Sequence, residues 1–433
     1  MCLSAVFRFK IFIDNKWNIF FIFHIAKKFY IMKSFEFNFY NPVRVVFGAG
    51  KLDILGEETA KIGRTALVVS YAQFGSIKSA LDRAVRSLEA AGCRVVKFFE
   101  FEQNPDISTV AKGRDVALAE KCDVVVGIGG GSAMDAAKAI AAAVFYEGDL
   151  WNMVAHSHSR TGDIKPPEKA LPIVCVPTLP ATGSEMNMCS VLSNRALGCK
   201  SYIWAECLFA KLALQDPELT YSVPPKLTAL ACVDAISHVL EIYINSRDGT
   251  PLQSYFQESV MRVCMENLFT AMEKPTDEFA RANLMWAATC AINGWAYPGD
   301  GWTPVHQVGH VLTSKFGVAH GASISCLLPA WMRYNSKRRP SVYLNFARNV
   351  MGVSKELPEE AAIREGIDAF EAFIKRAGVP ASLADLNISP EHFDSIIDGV
   401  RGVSFNSDGV LSCNPVMTAA DIKNVLTNSY ERK

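Results

Sequence analysis

From Phe35 to about Tyr221, short apolar runs alternate with amphipathic stretches; after Asp216-Pro217 the alternation stops. Residues 43–47 read as a strand that turns at Gly48-Ala49-Gly50, a lone GxG better taken as a turn than as a nucleotide site. Residues 65–70 are mostly apolar and rich in β-branching, as expected of a strand buried on both faces. An amphipathic helix is predicted over 77–91 and a strongly helix-forming stretch over 133–144, with further strands at 93–98, 123–128 and 173–176. Strands alternating with helices imply right-handed crossovers and a largely parallel sheet. Pro224-Pro225 then opens a helical pattern that reaches about Ile244, with proline in its tolerated first-turn place. Helix-forming stretches continue to the C-terminus, broken at Gly299, Gly317, Pro340 and Pro380, without strand alternation or internal repeat. The expected architecture is an α/β domain with a parallel sheet over residues 32–221, followed by an all-helical domain over 222–433.

The first 31 residues do not match this pattern. Phe, Ile, Lys, Asn and Tyr make up 20 of them, with no glycine or proline. The longest stretch there without a charged residue, 17–26, is too short to span a bilayer, and Asp14 and Lys16 interrupt any signal-like apolar core. Their AT-rich codons make translated upstream DNA a fair explanation, and Met32 is the expected natural start; a weak membrane or partner-binding segment is the alternative. Over the whole chain the composition is that of an ordinary globular protein, half hydrophobic and one-fifth charged. Forty-four basic residues oppose forty-four acidic ones, so no global field recruits nucleic acid or anionic membrane. Twelve cysteines without a CxxC pair suit reduced thiols in a cytoplasmic protein.

Two segments carry chemistry. Gly129-Gly130-Gly131-Ser132 lies between a predicted strand and a predicted helix. Without Cβ atoms this backbone can approach a pyrophosphate closely, and the helix N-terminus offers free N–H groups. Asp135 follows in the first helical turn, within reach of a cofactor hydroxyl. The spacing is not GxGxxG, and a plain tight turn is the bland alternative. The second segment is histidine-rich: His306 and His310 at i, i+4, then His320 in a glycine-bounded turn, with Asp234 and His238 at i, i+4 upstream. One Asp oxygen and up to three imidazoles suit Fe²⁺ or Zn²⁺ with a position left open. His156 and His158 read as exposed loop residues. A metal paired with a dinucleotide points to hydride transfer at an alcohol or aldehyde carbon.

These residues resemble the iron-containing (group III) alcohol dehydrogenase family over nearly all of the chain from Met32. GGGSAMDAAKAIA resembles the family's pyrophosphate turn and VPTLPATGSEMN its nicotinamide-side segment; ACVDAISHVLEIYIN and HQVGHVLTSKFGVAHG resemble its metal-binding helices. ARANLMWAATCAINGW is similar to the butanol dehydrogenase and aldehyde reductase branch. The resemblance implies an NAD(P)-dependent, metal-dependent enzyme acting on a short-chain aldehyde or alcohol such as butanol. It implies metal ligands at Asp234, His238, His306 and His320, with His310 beside the nicotinamide as a catalytic residue that does not bind metal. It also implies cofactor contacts from Gly130, Gly131, Ser132, Asp135, Asn104, Thr178, Thr182 and Lys200. Residues 195–208 depart most from the family pattern, which touches Lys200.

Nucleotide choice is expected to rest on the end of the strand at 65–70, where NAD-preferring relatives place an acid. Here Ser70-Tyr71-Ala72-Gln73 carries no carboxylate, which favours NADP, with NAD possible. Met285, Trp286, Trp295 and Trp302 suit either an apolar substrate pocket or core packing. A homodimer is the expected assembly. Glycerol or propanediol dehydrogenation, a lyase of the dehydroquinate synthase type and a non-catalytic metal-binding module are the competing readings.

Overall fold

A computed structural model describes residues 36–430 except 73–74, 102, 155–162, 248 and 300–302. The expectations for residues 1–31, Met32, Gln73, His156, His158 and Trp302 lie outside the described residues. Strands β1 (Arg44–Phe47), β2 (Thr65–Tyr71), β3 (Arg94–Phe101), β4 (Val124–Gly129) and β5 (Ile173–Pro177) fall where the apolar runs predict them. Strands β6 (Cys189–Asn194), β7 (Cys199–Trp204) and β8 (Leu212–Gln215) were not predicted. Six strands form one sheet in the order β1-β8-β5-β4-β2-β3, and every pairing in it is parallel. β6 and β7 form a separate antiparallel hairpin.

Alternation across the pleat explains the layers. Leu67, Val69 and Val125 face one core, which includes the alanines of the helix Gly131–Ala143; Ala66, Val68, Val124 and Val126 face another, with Leu81, Ala84 and Leu88. β4 is buried at all six positions, and each fully buried valine there contributes about 1.5–3 kcal/mol relative to exposure. The helices of this lobe are α1 (Leu55–Thr59), α2 (Lys78–Ala90), α3 (Ile107–Ala119) and α4 (Gly131–Ala143). Strand order reverses between β2 and β4: the chain goes outward to β3 and then returns to the other side of β2. Such a reversal opens a crevice at the carboxyl ends of the strands. The glycine turn stands at that end of β4.

Past residue 224 the chain is helical: α5 (Pro225–Asn245), α6 (Pro251–Glu273), α7 (Glu278–Ala291), α8 (Pro304–Phe316), α9 (His320–Ser325), α10 (Leu328–Ser336), α11 (Pro340–Asn345), α12 (Glu359–Arg376), α13 (Phe393–Ser404) and α14 (Ala419–Tyr430). Three of the anticipated breaks have clear roles. Gly317 ends α8 in the left-handed region, Pro340 begins α11, and Pro380 follows α12. α5 is long and apolar enough to cross a membrane, yet it is buried almost end to end in the helical core and carries Asp234, His238 and Glu241. The sheet lobe and helical lobe belong to one compact unit.

Candidate metal centre and cofactor cleft

A cavity of about 990 Å³ runs from the glycine turn to the histidine cluster. The turn is built from close approaches. A Cβ on Gly131 would fall 2.5 Å from Thr182 Cγ2, so only glycine lets the β5 loop lie against the start of α4. Beside it, Ser132 Oγ accepts from the Asn104 backbone N–H at 3.3 Å, and Asn104 Oδ1 accepts from Lys200 Nζ at 2.9 Å. The hairpin pairs Lys200 with Ser193 and so delivers this lysine back to the turn. Burial pushes the Lys200 ammonium down to about 8, against the opposing pull of Asp135 and Asp234.

The other expected cofactor residues divide into two groups. Tyr71, Asn104, Gly130, Gly131, Ser132, Asp135, Thr182 and Lys200 line the cleft. Ser70 and Thr178 do not. Ser70 is fully buried inside β2 and donates its hydroxyl to the Ile128 carbonyl at 2.8 Å. Thr178 is 3 % exposed and lies behind the turn, its N–H donating to the Gly129 carbonyl. Period-two alternation along β2 turns Ser70 into the sheet and Tyr71 out, so a ribose site at the strand end cannot use the serine. Asp135 reaches the cleft, but its oxygens accept from Ser184 Oγ at 2.7 Å and the Val191 N–H at 3.1 Å. Burial raises its carboxyl above the usual range, against those bonds and the Lys138 charge.

The metal candidates come from three helices. Asp234 and His238 stand one turn apart on α5, and His306 and His310 one turn apart on α8. His320 opens α9, held close because Gly321 leaves its backbone against the Leu230 carbonyl; a Cβ there would sit 2.6 Å from that oxygen. Asp234 Oδ1 lies 3.5 Å from His306 Nε2 and 3.6 Å from His320 Nε2. One donor atom from each of these three falls within 4.8 Å of the others, the spread a single ion can bridge. His238 stands just outside that trio, its ring stacked on His306 at 4.5 Å between centroids. His310 packs on His320 at 5.2 Å.

Buried polar atoms ordinarily find partners. Here Asp234 Oδ1, His306 Nε2, His238 Nδ1 and His320 Nδ1 are buried without a hydrogen-bond partner. Asp234 Oδ1 and His306 Nε2, left unpaired and facing each other with His320 Nε2 3.6 Å from the same oxygen, make an N/O donor set that fits a divalent ion such as Fe²⁺ or Zn²⁺. Glu241, unremarked in the sequence reading, completes the arrangement. Fully buried, it meets His306 Nδ1 at 2.5 Å and leaves Nε2 facing Asp234. It lies at i+7 from Asp234 and i+3 from His238, so helical spacing alone could have found it.

Electrostatics follow from this crowding. Burial opposes the charge on Asp234, yet the histidines around it outweigh burial and hold its carboxyl well below the ordinary range. Burial also opposes a proton on His306, but Glu241 and Asp234 raise it to about 9. Burial drives His238 down to about 4 and keeps His310 and His320 neutral.

From the helical lobe, Leu227, Leu230 and Val318 also line this cavity. Met285, Trp286 and Trp295 are not part of it. Met285 is buried in α7, and the two tryptophans pack edge-to-face on each other, on Phe47 and on Phe256.

Two sequence profiles match the chain: iron-containing alcohol dehydrogenase over residues 42–217, and the C-terminal region of the Fe-containing alcohol dehydrogenase family over 228–430. The chain belongs to the iron-containing alcohol dehydrogenase family. Among its relatives, the NADH-dependent butanol dehydrogenase A of Clostridium acetobutylicum is 34 % identical over 404 residues, which span 92 % of this chain and all of the relative. The NADPH-dependent aldehyde reductase YqhD of Escherichia coli is 31 % identical, over 84 % of this chain and 92 % of its own. The crystal structure of NADH-dependent butanol dehydrogenase A from Thermotoga maritima superposes with a TM-score of 0.85 at 35 % identity, covering 92 % of this chain and 99 % of that one. The parallel α/β lobe followed by a helical lobe is therefore the architecture of this dehydrogenase family.

Proposed function

We propose that this family member interconverts short-chain aldehydes and alcohols, such as butanal and butanol, using a nicotinamide dinucleotide and one divalent ion. The observation that carries the reading is the Asp234–His306–His320 trio, with Asp234 Oδ1 and His306 Nε2 left without hydrogen-bond partners, in the same cleft as the glycine turn. When bound, the ion supplies Lewis acidity toward the substrate oxygen and the nicotinamide supplies or receives hydride. Asp234, His238, His306 and His320 hold the ion, and Glu241 orients His306. The N-terminus of α4 and residues Gly130, Gly131 and Ser132 hold the pyrophosphate. Asn104, Asp135, Thr182 and Lys200 shape the cleft around the rest of the cofactor. Leu227, Leu230 and Val318 exclude water from the reacting end. His310 lines both this cleft and a second cavity of about 180 Å³ bounded by Gln307, Ser314 and Lys315, so its neutral ring is placed to pass a proton outward.

The one carboxylate and three imidazoles suit Fe²⁺ or Zn²⁺. NADPH is the nucleotide favoured by the absence of a carboxylate at Tyr71-Ala72, although the butanol dehydrogenases above are NADH-dependent. The eleven described cysteines are free thiols, which suits a cytoplasmic protein. We infer a homodimer, to be read from light scattering. Lys200 is the one lysine or arginine among the described residues lining the cleft, a poor match for the phosphorylated acid a dehydroquinate synthase-like lyase would take.

The test is a panel of short aldehydes and alcohols, with glycerol and 1,3-propanediol, assayed with NADPH and NADH on metal-loaded protein. Oxidation of the reduced nucleotide by butanal is expected. No turnover of any member with stoichiometric metal would overturn the reading.

A further inference from the structure

Residues 38–40 line the cleft, and Asn41 follows them. Asn41 ties this segment to both lobes: its Nδ2 donates to the Met186 carbonyl of the sheet lobe at 2.8 Å and to the Asn293 carbonyl, two residues past α7, at 2.9 Å. Its Oδ1 accepts from the Val43 N–H at 3.2 Å, which fixes the start of β1. Both amide hydrogens and one oxygen are thus used. Held this way, the Tyr40 ring meets Phe209 edge-on at 5.9 Å. Phe39 lies against Gly294, where an added Cβ would come within 3.4 Å of the ring. Asn38, Phe39 and Tyr40 line the same cavity as Asp234, His306 and His320.

We propose that residues 38–41 are the substrate-selecting wall of this cleft, with Phe39 and Tyr40 favouring hydrocarbon-tailed substrates and Asn41 positioning them across the two lobes. The proposal rests on the dehydrogenase reading above. Phe39 and Tyr40 are 47 % and 60 % exposed, large apolar surfaces that a tail entering the cleft would cover. The segment carries no charge, and Leu227, Leu230 and Val318 line the same cavity. A chain of methylenes gains from each of these surfaces, whereas a short or polyhydroxylated substrate does not.

The experiment compares kcat/KM for acetaldehyde, butanal and hexanal in the metal-loaded full chain and in Phe39→Ala, Tyr40→Ala and Asn41→Ala. The hexanal-to-acetaldehyde ratio should fall by about tenfold in the Phe39→Ala/Tyr40→Ala pair, the scale of a partial hydrophobic pocket. Asn41→Ala should flatten the same series through KM more than kcat. Should Asn41→Ala fold poorly, Phe39→Ala carries the test, since its ring is half exposed. An unchanged ratio, or equal losses on all three aldehydes, overturns the proposal while leaving the dehydrogenase reading in place. If no aldehyde is turned over at all, hexanamide binding by calorimetry decides: a Kd about tenfold weaker in Phe39→Ala supports the wall, and an equal Kd overturns it.

Discussion

Glu241 grips His306 at both ends: its Oε1 meets the Nδ1 ring nitrogen at 2.5 Å, and its Oε2 accepts from the backbone N–H of His306 at 3.3 Å and of Val305 at 2.6 Å. The carboxylate therefore fixes both the ring and the helix start that carries it. Replacing it by an amide, Glu241→Gln, keeps the volume but removes the charge that aims Nε2 inward. Metal affinity should fall by about 10–100-fold, the usual scale for such outer partners. Competition against a chelator measures it; an unchanged affinity would mean that His306 is oriented by something else.

His320 is about a quarter exposed, so shortening it leaves little cavity, and α9 stays anchored by Gly321 on Leu230. His320→Ala is expected to leave the helical signal in circular dichroism intact. Bound metal should drop from about one per chain to near zero, and turnover should fall with it by two orders of magnitude or about that. A variant that retains stoichiometric metal and full turnover would remove His320 from the ligand set.

Lys200 is costly where it sits. In the folded chain it titrates at about 8, against 10.5 when exposed, so between those pH values the unfolded chain binds more protons and stability rises with pH. Below pH 8 the penalty is present in full. Lys200→Met should stabilise the metal-free chain at pH 7 by on the order of 1–3 kcal/mol, and the gain should shrink as the pH climbs from 8 towards 10.5. The same variant should bind nucleotide more weakly, since the Asn104 contact is lost. Denaturant melts at pH 7 and pH 10 check the sign, and a gain that grows with pH would refute it.

For the nucleotide, the informative position is Ala72, exposed just past β2, and not Tyr71, whose side chain packs on the glycine turn. Ala72→Asp should weaken NADPH use by roughly 1–3 kcal/mol through repulsion of the 2′-phosphate, with NADH affected less or improved. Paired kcat/KM values decide this. Equal losses would place the ribose elsewhere.

The elements legible from sequence were those whose pattern matches one environment. β2, β4 and β5 are short β-branched runs because helices cover both faces, and α5 announces itself with Pro225. The hairpin escaped because the buried face of β6 is polar at two of its three positions, Ser190 and Asn194 flanking Leu192, so no apolar alternation marks it. β8 is four residues long and ends in Gln215, whose polarity hides a fully buried strand. Within the site, Asp234, His306 and His320 could be named from residue type, but Ser70 and Thr178 could not be assigned a face until register was known. The strap at 38–41 was invisible because Asn41 acts over 145 and 252 residues of sequence separation.

Gln215 at the end of β8 donates at 3.2 Å to Glu185 and at 2.8 Å to Thr289 of α7, and Thr289 in turn donates to Glu185 at 2.6 Å. Burial raises the Glu185 carboxyl, and the hydrogen bonds from Gln215 and Thr289 offset that cost. Chimeras that graft the helical half of a relative onto this sheet half would inherit a mismatch at that seam unless the three residues travel together, which makes the junction near residue 222 a poor place to recombine lobes as independent cassettes.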